Sequence, residues 1–193
     1  MRTILLLSLA VTLLAASCKK DGPEAGLPTA THTGANTAGC LINGQPFVAT
    51  GFGSGPGKVA GLGGGFAYDS AYYLRLNGQL GGQDGSLHIY LRSIPNYKTN
   101  SLIISYLLNE QSAYMPAASP KHCRNYGAFF PNDNSGEVYI TDDIHVGKVD
   151  FTHVNLADLS RPITAGTFEF TAVSTSDPSK VLRVTSGRFD RQQ

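Results

Sequence analysis

The sequence predicts an all-β protein, an antiparallel β-sandwich or barrel-like meander of about nine strands. Two observations lead to this fold class. Apolar and polar side chains alternate with period two in many short segments, as half-buried strands require. Glycine, proline and asparagine separate these segments at short intervals, and we find no helix with convincing caps and periodicity.

The first seventeen residues form a predicted signal peptide. Arg2 is followed by an apolar stretch over 4–16, which is shorter than the roughly 20 residues that span a bilayer. Ala15, Ala16 and Ser17 are small, and Cys18 comes next. This pattern resembles a bacterial lipobox, whose cysteine is lipidated on sulfur and becomes the first mature residue. The alternative is an ordinary signal peptide cleaved nearby, which would leave Cys18 as a free thiol.

Lipidation at Cys18 predicts a lipid-anchored protein of the outer membrane, facing the periplasm or the cell surface. Two or more acyl chains are enough for stable anchoring. Residues 18–38 are predicted to be a flexible tether, because glycine and proline are frequent and few apolar side chains could repay the entropy of ordering. Residues 39–193 then form the β domain, which is an ordinary length for one domain.

The charge balance and the cysteine content limit the functions and the sites that the chain can have. The chain has 15 Lys and Arg and 14 Asp and Glu, and only Arg2 lies in the signal peptide, so no basic excess favours nucleic-acid binding. Cys40 and Cys123 would lie in an oxidising compartment. A disulfide between them would stabilise the domain by roughly 4 kcal/mol; the alternatives are two buried thiols or a catalytic cysteine. Too few Cys and His at tight spacing are present for a zinc site, and no metal or cofactor is expected.

The β domain begins with a predicted hairpin. Residues 40–42 and 45–48 flank Asn43-Gly44, which tolerates the positive φ angles of a type I′ turn, and Pro46 belongs on an edge strand. Residues 51–65 are dense in glycine, but they match neither a phosphate loop nor a dinucleotide fingerprint in context. We therefore expect a mobile surface loop there.

Alternating segments follow this loop. They predict strands at 72–76 and 87–91, at Leu102, Ile104 and Tyr106, and at 136–141, 148–156, 167–173 and 181–189. The segment with Pro116, Pro120, Cys123 and Pro131 is predicted to be irregular. In the last strand Leu182 and Val184 are out of phase with Phe189, so a bulge at Ser186-Gly187 is needed to bring Phe189 to the core.

Several segments resemble a family of small Bacteroidetes lipoproteins classed as a domain of unknown function. The segment 33–44, reading TGANTAGCLING, resembles its N-terminal signature, and 136–141, 166–173 and 184–190 resemble its C-terminal half. The resemblance implies an all-β, membrane-tethered protein. It carries over no catalytic residue, and its motifs resemble turns and strands that determine a fold.

Three groups of polar residues are candidates for a site. Tyr73, Arg75, His88, Tyr90 and Arg92 would share one face of two paired strands and could hold a sugar or an anion; alternatively they form a solvated sheet face. Residues 132–137, reading NDNSGE, offer oxygen ligands as a calcium loop does, or form a plain turn.

The third group is Asp142, Asp143, His145, Asp150 and His153, which could supply acid–base chemistry or be a charged loop. No nucleophile elbow accompanies these residues. Two functions follow from the sequence. The first is a non-enzymatic envelope lipoprotein whose β domain binds a glycan or envelope protein or has a structural role. The second is a hydrolase of glycans or esters that uses the Asp and His groups in 142–153.

Overall fold

The computed structural model describes residues 22–67, 71–92, 105–109 and 125–193. In these residues it contains eleven strands and two short 3₁₀ helices, Pro23–Gly26 and Gly55–Gly57, with no α-helix. The strands are β1 (Thr37–Ile42), β2 (Gln45–Val48), β3 (Leu62–Ala67), β4 (Ala71–Leu80), β5 (Gln83–Leu91), β6 (Ser105–Leu108), β7 (Tyr126–Pro131), β8 (Tyr139–Ile140), β9 (Gly147–Asn155), β10 (Ile163–Ser174) and β11 (Val181–Gln192). The signal peptide, Cys18, Cys123 and the predicted strand residues Leu102 and Ile104 lie outside the described residues.

All the described strands belong to one antiparallel sheet curled into a half-barrel, so the predicted fold class is confirmed. The order is β2-β1-β11-β10-β8-β7-β5-β4-β3, with β9 beside the first part of β10 and β6 outside β9. The concave side holds the main core, to which alternate residues of nearly every strand contribute. No helix among the described residues is long and apolar enough to cross a membrane.

Local turn chemistry is where the sequence predicted best. Asn43 and Gly44 have φ values of 49° and 80° and join β1 to β2 in a two-residue hairpin, with Pro46 on the terminal strand of the sheet. In β11 the register shifts next to Ser186, whose φ is 52°. Phe189 therefore packs in the same core as Val184, and the predicted bulge is confirmed.

The glycine-dense stretch contains a strand that the sequence does not predict. β3 pairs with β4 along its whole length. Gly64 has a φ of 107°, and a Cβ there would lie 1.9 Å from the carbonyl oxygen of Tyr73. Only glycine permits this approach. The glycine residues that suggest a loop in the sequence are therefore what allows β3 to pair with β4.

Asn77 attaches the remainder of the glycine-dense stretch to β4. Its side chain is buried, donating from Nδ2 to the carbonyl oxygen of Ala60 at 2.6 Å and accepting from Ser86 Oγ at 2.7 Å. Its backbone accepts from the amide of Gly51 and donates to the carbonyl of Gly61. The stretch predicted to be a mobile loop is thus held by three hydrogen bonds to a single residue of β4, and the fourth bond of Asn77 goes to β5.

β7 is the second strand missing from the prediction. Its residues are buried on both faces, because Phe129 packs in the main core while Tyr126 and Ala128 belong to a second apolar cluster on the convex side. Burial on both sides removes the alternation on which the prediction depends, and Pro131 ends the strand.

The C-terminus covers the free edge of β3. The Gln193 side chain accepts from the amide of Phe66 at 2.9 Å and donates to its carbonyl at 3.1 Å, as a paired strand residue would. Arg191 Nε donates to the carbonyl of Gly64 at 3.2 Å. These contacts link β3, at one end of the sheet, to the end of β11 in its interior.

The N-terminal segment, residues 22–36, differs from the predicted flexible tether. A Cβ on Gly26 would lie 3.3 Å from Pro46, and one on Gly39 would lie 2.9 Å from Pro28, so the segment lies directly over β1 and β2. Few apolar side chains hold it, as the sequence indicates. Its order comes instead from hydrogen bonds to carboxylates, which composition does not reveal, and β1 begins at Thr37.

Candidate functional site

Asp190 is the main attachment point of the N-terminal segment. Its buried carboxylate accepts from Thr31 Oγ1 at 2.6 Å and from the amides of Thr33, Gly34 and Ala35 at 2.9, 2.7 and 3.2 Å. Burial raises the pKa of Asp190, but these hydrogen bonds outweigh it and the pKa lies below its usual value. Residues 31–35 and the last strand, far apart in the sequence, therefore meet at this residue.

The predicted binding face forms, but it is mostly closed. β4 and β5 pair so that Tyr73 lies opposite Tyr90 and Arg75 opposite His88. Tyr90 is only 1 % exposed and stacks on Tyr126 with ring centroids 5.7 Å apart. This face is thus largely the second apolar cluster of the convex side, not a solvated platform.

His88 lies between two aromatic rings in that cluster. Its ring centroid is 4.6 Å from that of Phe130 and 5.5 Å from that of Tyr73, whose hydroxyl is 3.3 Å from Nδ1. Burial, with the Arg75 cation as a smaller cause, lowers the pKa of His88 to about 4. The imidazole is therefore neutral at pH 7, and the groups of this face left exposed are Arg75 and Arg92.

The Cys40 thiol is free and fully buried in the main core. The predicted disulfide with Cys123 is therefore not supported, and Cys123 lies outside the described residues. Cys40 points inward from β1 as an apolar side chain would, and burial raises the pKa of its thiol far above the usual range. A buried thiol that stays protonated is a poor nucleophile.

The Asp and His residues of 142–153 do not converge. Asp142 Oδ1 lies 3.0 Å from His145 Nδ1, and it also accepts from the amides of Ile144 and His145, as in a local turn. Asp150 pairs with Lys148 at 3.2 Å on β9, which begins after that turn.

His153 lies apart from both of these pairs and faces His32, with ring centroids 5.8 Å apart. Within the described residues no three Asp, Glu, His or Cys side chains form a metal-binding group.

The segment 132–137 is a turn followed by a charged bridge. Asp133 accepts from the amide and hydroxyl of Ser135, the pattern of an Asx turn. Glu137 accepts from Ser174 Oγ at 2.9 Å and from Lys180 Nζ at 3.1 Å. Asp133, Ser135 and Glu137, whose oxygen atoms suggest a calcium loop in the sequence, are thus engaged in local and cross-strand hydrogen bonds.

A groove on the convex face of β9, β10 and β11 was not identified from the sequence. Outward side chains of neighbouring strands meet there, and Lys148 Nζ lies 3.2 Å from Asp150 and 3.7 Å from Glu169. Two cavities, of about 390 and 230 Å³, adjoin one another along β10 and share Lys148 and Glu169. We call the two together the β10 groove.

The walls of the β10 groove have different chemistry at its two ends. The larger cavity is lined by Thr171, Arg183 and Thr185, with the exposed apolar side chains of Leu107 and Val146 at its side. The side chains of Phe168 and Phe170 point into the core, so the groove floor at these residues is backbone.

The N-terminal segment provides one wall of the smaller cavity, through Glu24 and Ala30. Glu24 accepts from Ser186 Oγ at 2.6 Å and from the Arg188 guanidinium at 2.5 Å. These hydrogen bonds lower the pKa of Glu24, which stays ionised at neutral pH. The bulge that turns Phe189 inward also places Ser186 at this wall.

Period two could have shown which residues of β9, β10 and β11 point outward. It could not have shown which outward residues are neighbours, because that depends on the register between strands. Comparison with known proteins adds no site. No protein-family model matches the chain, and no curated protein and no solved structure matches it significantly.

Proposed function

We propose that this protein is a membrane-anchored envelope lipoprotein whose β domain binds another envelope component without chemically changing it. The lipid anchor is Cys18, and the binding site is the β10 groove. The observation that supports this proposal most directly is the pair of adjoining cavities along β10, which share Lys148 and Glu169.

The shape of the groove suits a chain-like ligand. It follows β10 from Thr171 to Thr167, four residues apart, which corresponds to about 14 Å at the rise of an antiparallel strand. A depression this long and shallow accommodates several units of an extended polymer. Arg183 and Glu169 offer a cationic donor and an anionic acceptor along its length.

Among envelope polymers, a protein segment fits the groove better than a glycan. Sugars bind well where an exposed aromatic ring permits stacking, and the rings at the described lining, Phe168 and Phe170, are each only 3 % exposed. Leu107 and Val146, 64 % and 45 % exposed, provide apolar contact beside the charged groups instead. A partly apolar, partly charged protein segment is therefore the ligand we propose.

Site-specific photo-crosslinking in native envelopes tests this proposal. A photoreactive residue at Thr171, inside the groove, should give one predominant protein adduct. The same residue at Thr152, exposed on β9 but outside both cavities, should not. Arg183→Glu should abolish the adduct from position 171. Equal adducts at both positions, or strong binding to a glycan array that Arg183→Glu removes, would contradict a protein ligand.

Anchoring is tested separately. Cys18→Ala should move the protein from the detergent phase to the aqueous phase, because no acyl chain can then be attached. Continued partition into detergent would overturn the anchor while leaving the groove proposal open to the crosslinking test.

A hydrolase is the second candidate, and one distance favours it. The 3.0 Å contact between Asp142 and His145 could orient the imidazole as a general base. The pair lies outside the lining of both cavities of the β10 groove. Turnover of a glycan or ester panel by the mature protein, abolished by Asp142→Asn with His145→Ala, would establish the hydrolase and contradict the binding protein.

A further inference from the structure

The N-terminal segment determines how far the β domain can stand from the lipid anchor. If residues 18–38 were a free tether, its ends would be separated by roughly 25 Å on average, and the domain would move freely above the membrane. The segment is instead attached to the domain from Glu24 onward, through Ser186, Arg188 and Asp190. The carbonyl of Gly22 accepts from the amide of Ala25 at 2.9 Å, so that only the link from Cys18 to Gly22 remains outside these contacts.

The covalent length of that link sets an upper limit. Four steps between Cα atoms cover at most about 14 Å, whatever conformation the link adopts. The attachment to the domain is strong, since Asp190 alone accepts four hydrogen bonds of 3.2 Å or shorter from the segment. The domain surface around Gly22 therefore cannot move far from the lipid headgroups.

We propose that the β domain lies against the lipid surface, with Glu24 and the smaller cavity of the β10 groove on the membrane-facing side. This inference rests on the proposed lipidation of Cys18. The partner of this surface is the bilayer itself. A protein segment reaching the β10 groove then approaches along the membrane, as an extramembrane segment of another membrane-bound protein would.

Absence of tryptophan from the natural chain allows a direct test. Ala25→Trp places a single indole on the exposed 3₁₀ helix of the N-terminal segment. Ser179→Trp is the matched control, at the exposed turn before β11 and about 24 Å from Ser186 along the strand. Both lipidated proteins are placed in vesicles whose headgroups carry a nitroxide quencher.

We expect strong quenching at position 25 and at least threefold weaker quenching at position 179. Insertion of about sixteen Gly and Ser residues between Asp21 and Gly22 should reduce quenching at position 25 at least threefold, because such a linker adds roughly 22 Å of average separation. Equal quenching at the two positions, or no effect of the insertion, would overturn the proposal.

Failure of the anchor would be recognised independently. Mass spectrometry of the cellular protein shows whether Cys18 carries lipid. If it does not, the proposed anchor is wrong, and the geometry is tested by coupling a maleimide lipid to Cys18 in a Cys123→Ser chain. Cys40 does not compete for the maleimide, because its thiol is buried. Quenching that then remains insensitive to the insertion would also refute the membrane-facing geometry.

Discussion

Replacing Asp190 with asparagine should release the N-terminal segment from the domain. The substitution keeps the shape of the side chain but removes the charge from four hydrogen bonds and turns a donor toward at least one backbone amide. A hydrogen bond to a charged group contributes about 1.5–3 kcal/mol. Part of this loss is recovered, because the amides that lose their bonds to Asp190 can hydrogen-bond to water once the segment detaches. We therefore expect a loss of about 2–3 kcal/mol in the free energy of unfolding, not the sum of four bonds.

Urea unfolding of the mature chain at pH 7 measures this loss, and hydrogen exchange at Gly34 and Ala35 locates it. Both amides should exchange much faster in Asp190→Asn. Asp84→Asn is the matched control, since Asp84 is half-buried on β5 and accepts one side-chain bond from Gln79. It should change stability by less than about 0.5 kcal/mol.

Acid should remove the same stabilisation. The folded pKa of Asp190 lies below its ordinary value of 3.8, so the unfolded chain binds the proton more readily. The contribution is therefore fully present above pH 3.8 and is lost as pH falls through the folded pKa. The stability difference between the natural chain and Asp190→Asn should shrink in that window. A variant as stable as the natural chain at pH 7, with Gly34 still protected, would refute this account of the segment.

Two further substitutions test the β3–β4 region. Gly64→Ala should destabilise the protein by about 3 kcal/mol or more, because the new Cβ has no room and the φ of Gly64 is positive. Gly63→Ala is the control and should cost under about 1 kcal/mol, because the atom nearest to its Cβ is 3.7 Å away. Equal unfolding midpoints of the two variants in urea would contradict the close-approach argument. Asn77→Ala should lower the free energy of unfolding by about 2–3 kcal/mol, because it leaves buried hydrogen-bond partners unpaired. Ser86→Ala removes only one of these bonds and should cost about 1 kcal/mol. Thermal or urea unfolding measures both losses, and a larger loss in Ser86→Ala would show that Asn77 does not hold the glycine-dense stretch.

Features of this fold that depend on neighbouring residues are predicted correctly, and features that depend on distant residues are not. The type I′ turn at Asn43-Gly44 and the bulge near Ser186 depend on a few neighbouring residues, and both are predicted correctly. β3 and β7 are missed because their signals depend on distant residues. Gly64 is required by Tyr73, and β7 loses its alternation because clusters on both faces bury it.

The candidate site was only partly accessible to prediction for the same reason. Pairing of Tyr73 with Tyr90 and of Arg75 with His88 could be predicted, since a short turn joins the two strands. The burial of that face could not be predicted, because the rings that cover it, Tyr126 and Phe130, come from β7, which the sequence does not predict. The free state of Cys40 likewise depends on its neighbours in the folded core, which cysteine counting does not reveal.

By itself, the sequence determined the all-β class, the local turns and the prediction of lipidation at Cys18. Each rests on short-range patterns, namely period two, positive φ tolerance and a cysteine after small residues. Only the tertiary structure decided that residues 22–36 are attached to the domain and that Lys148 and Glu169 meet in one groove. The groove depends on the register between strands, and the attachment depends on a carboxylate more than 150 residues away in the chain. Neither leaves a signal in the local sequence.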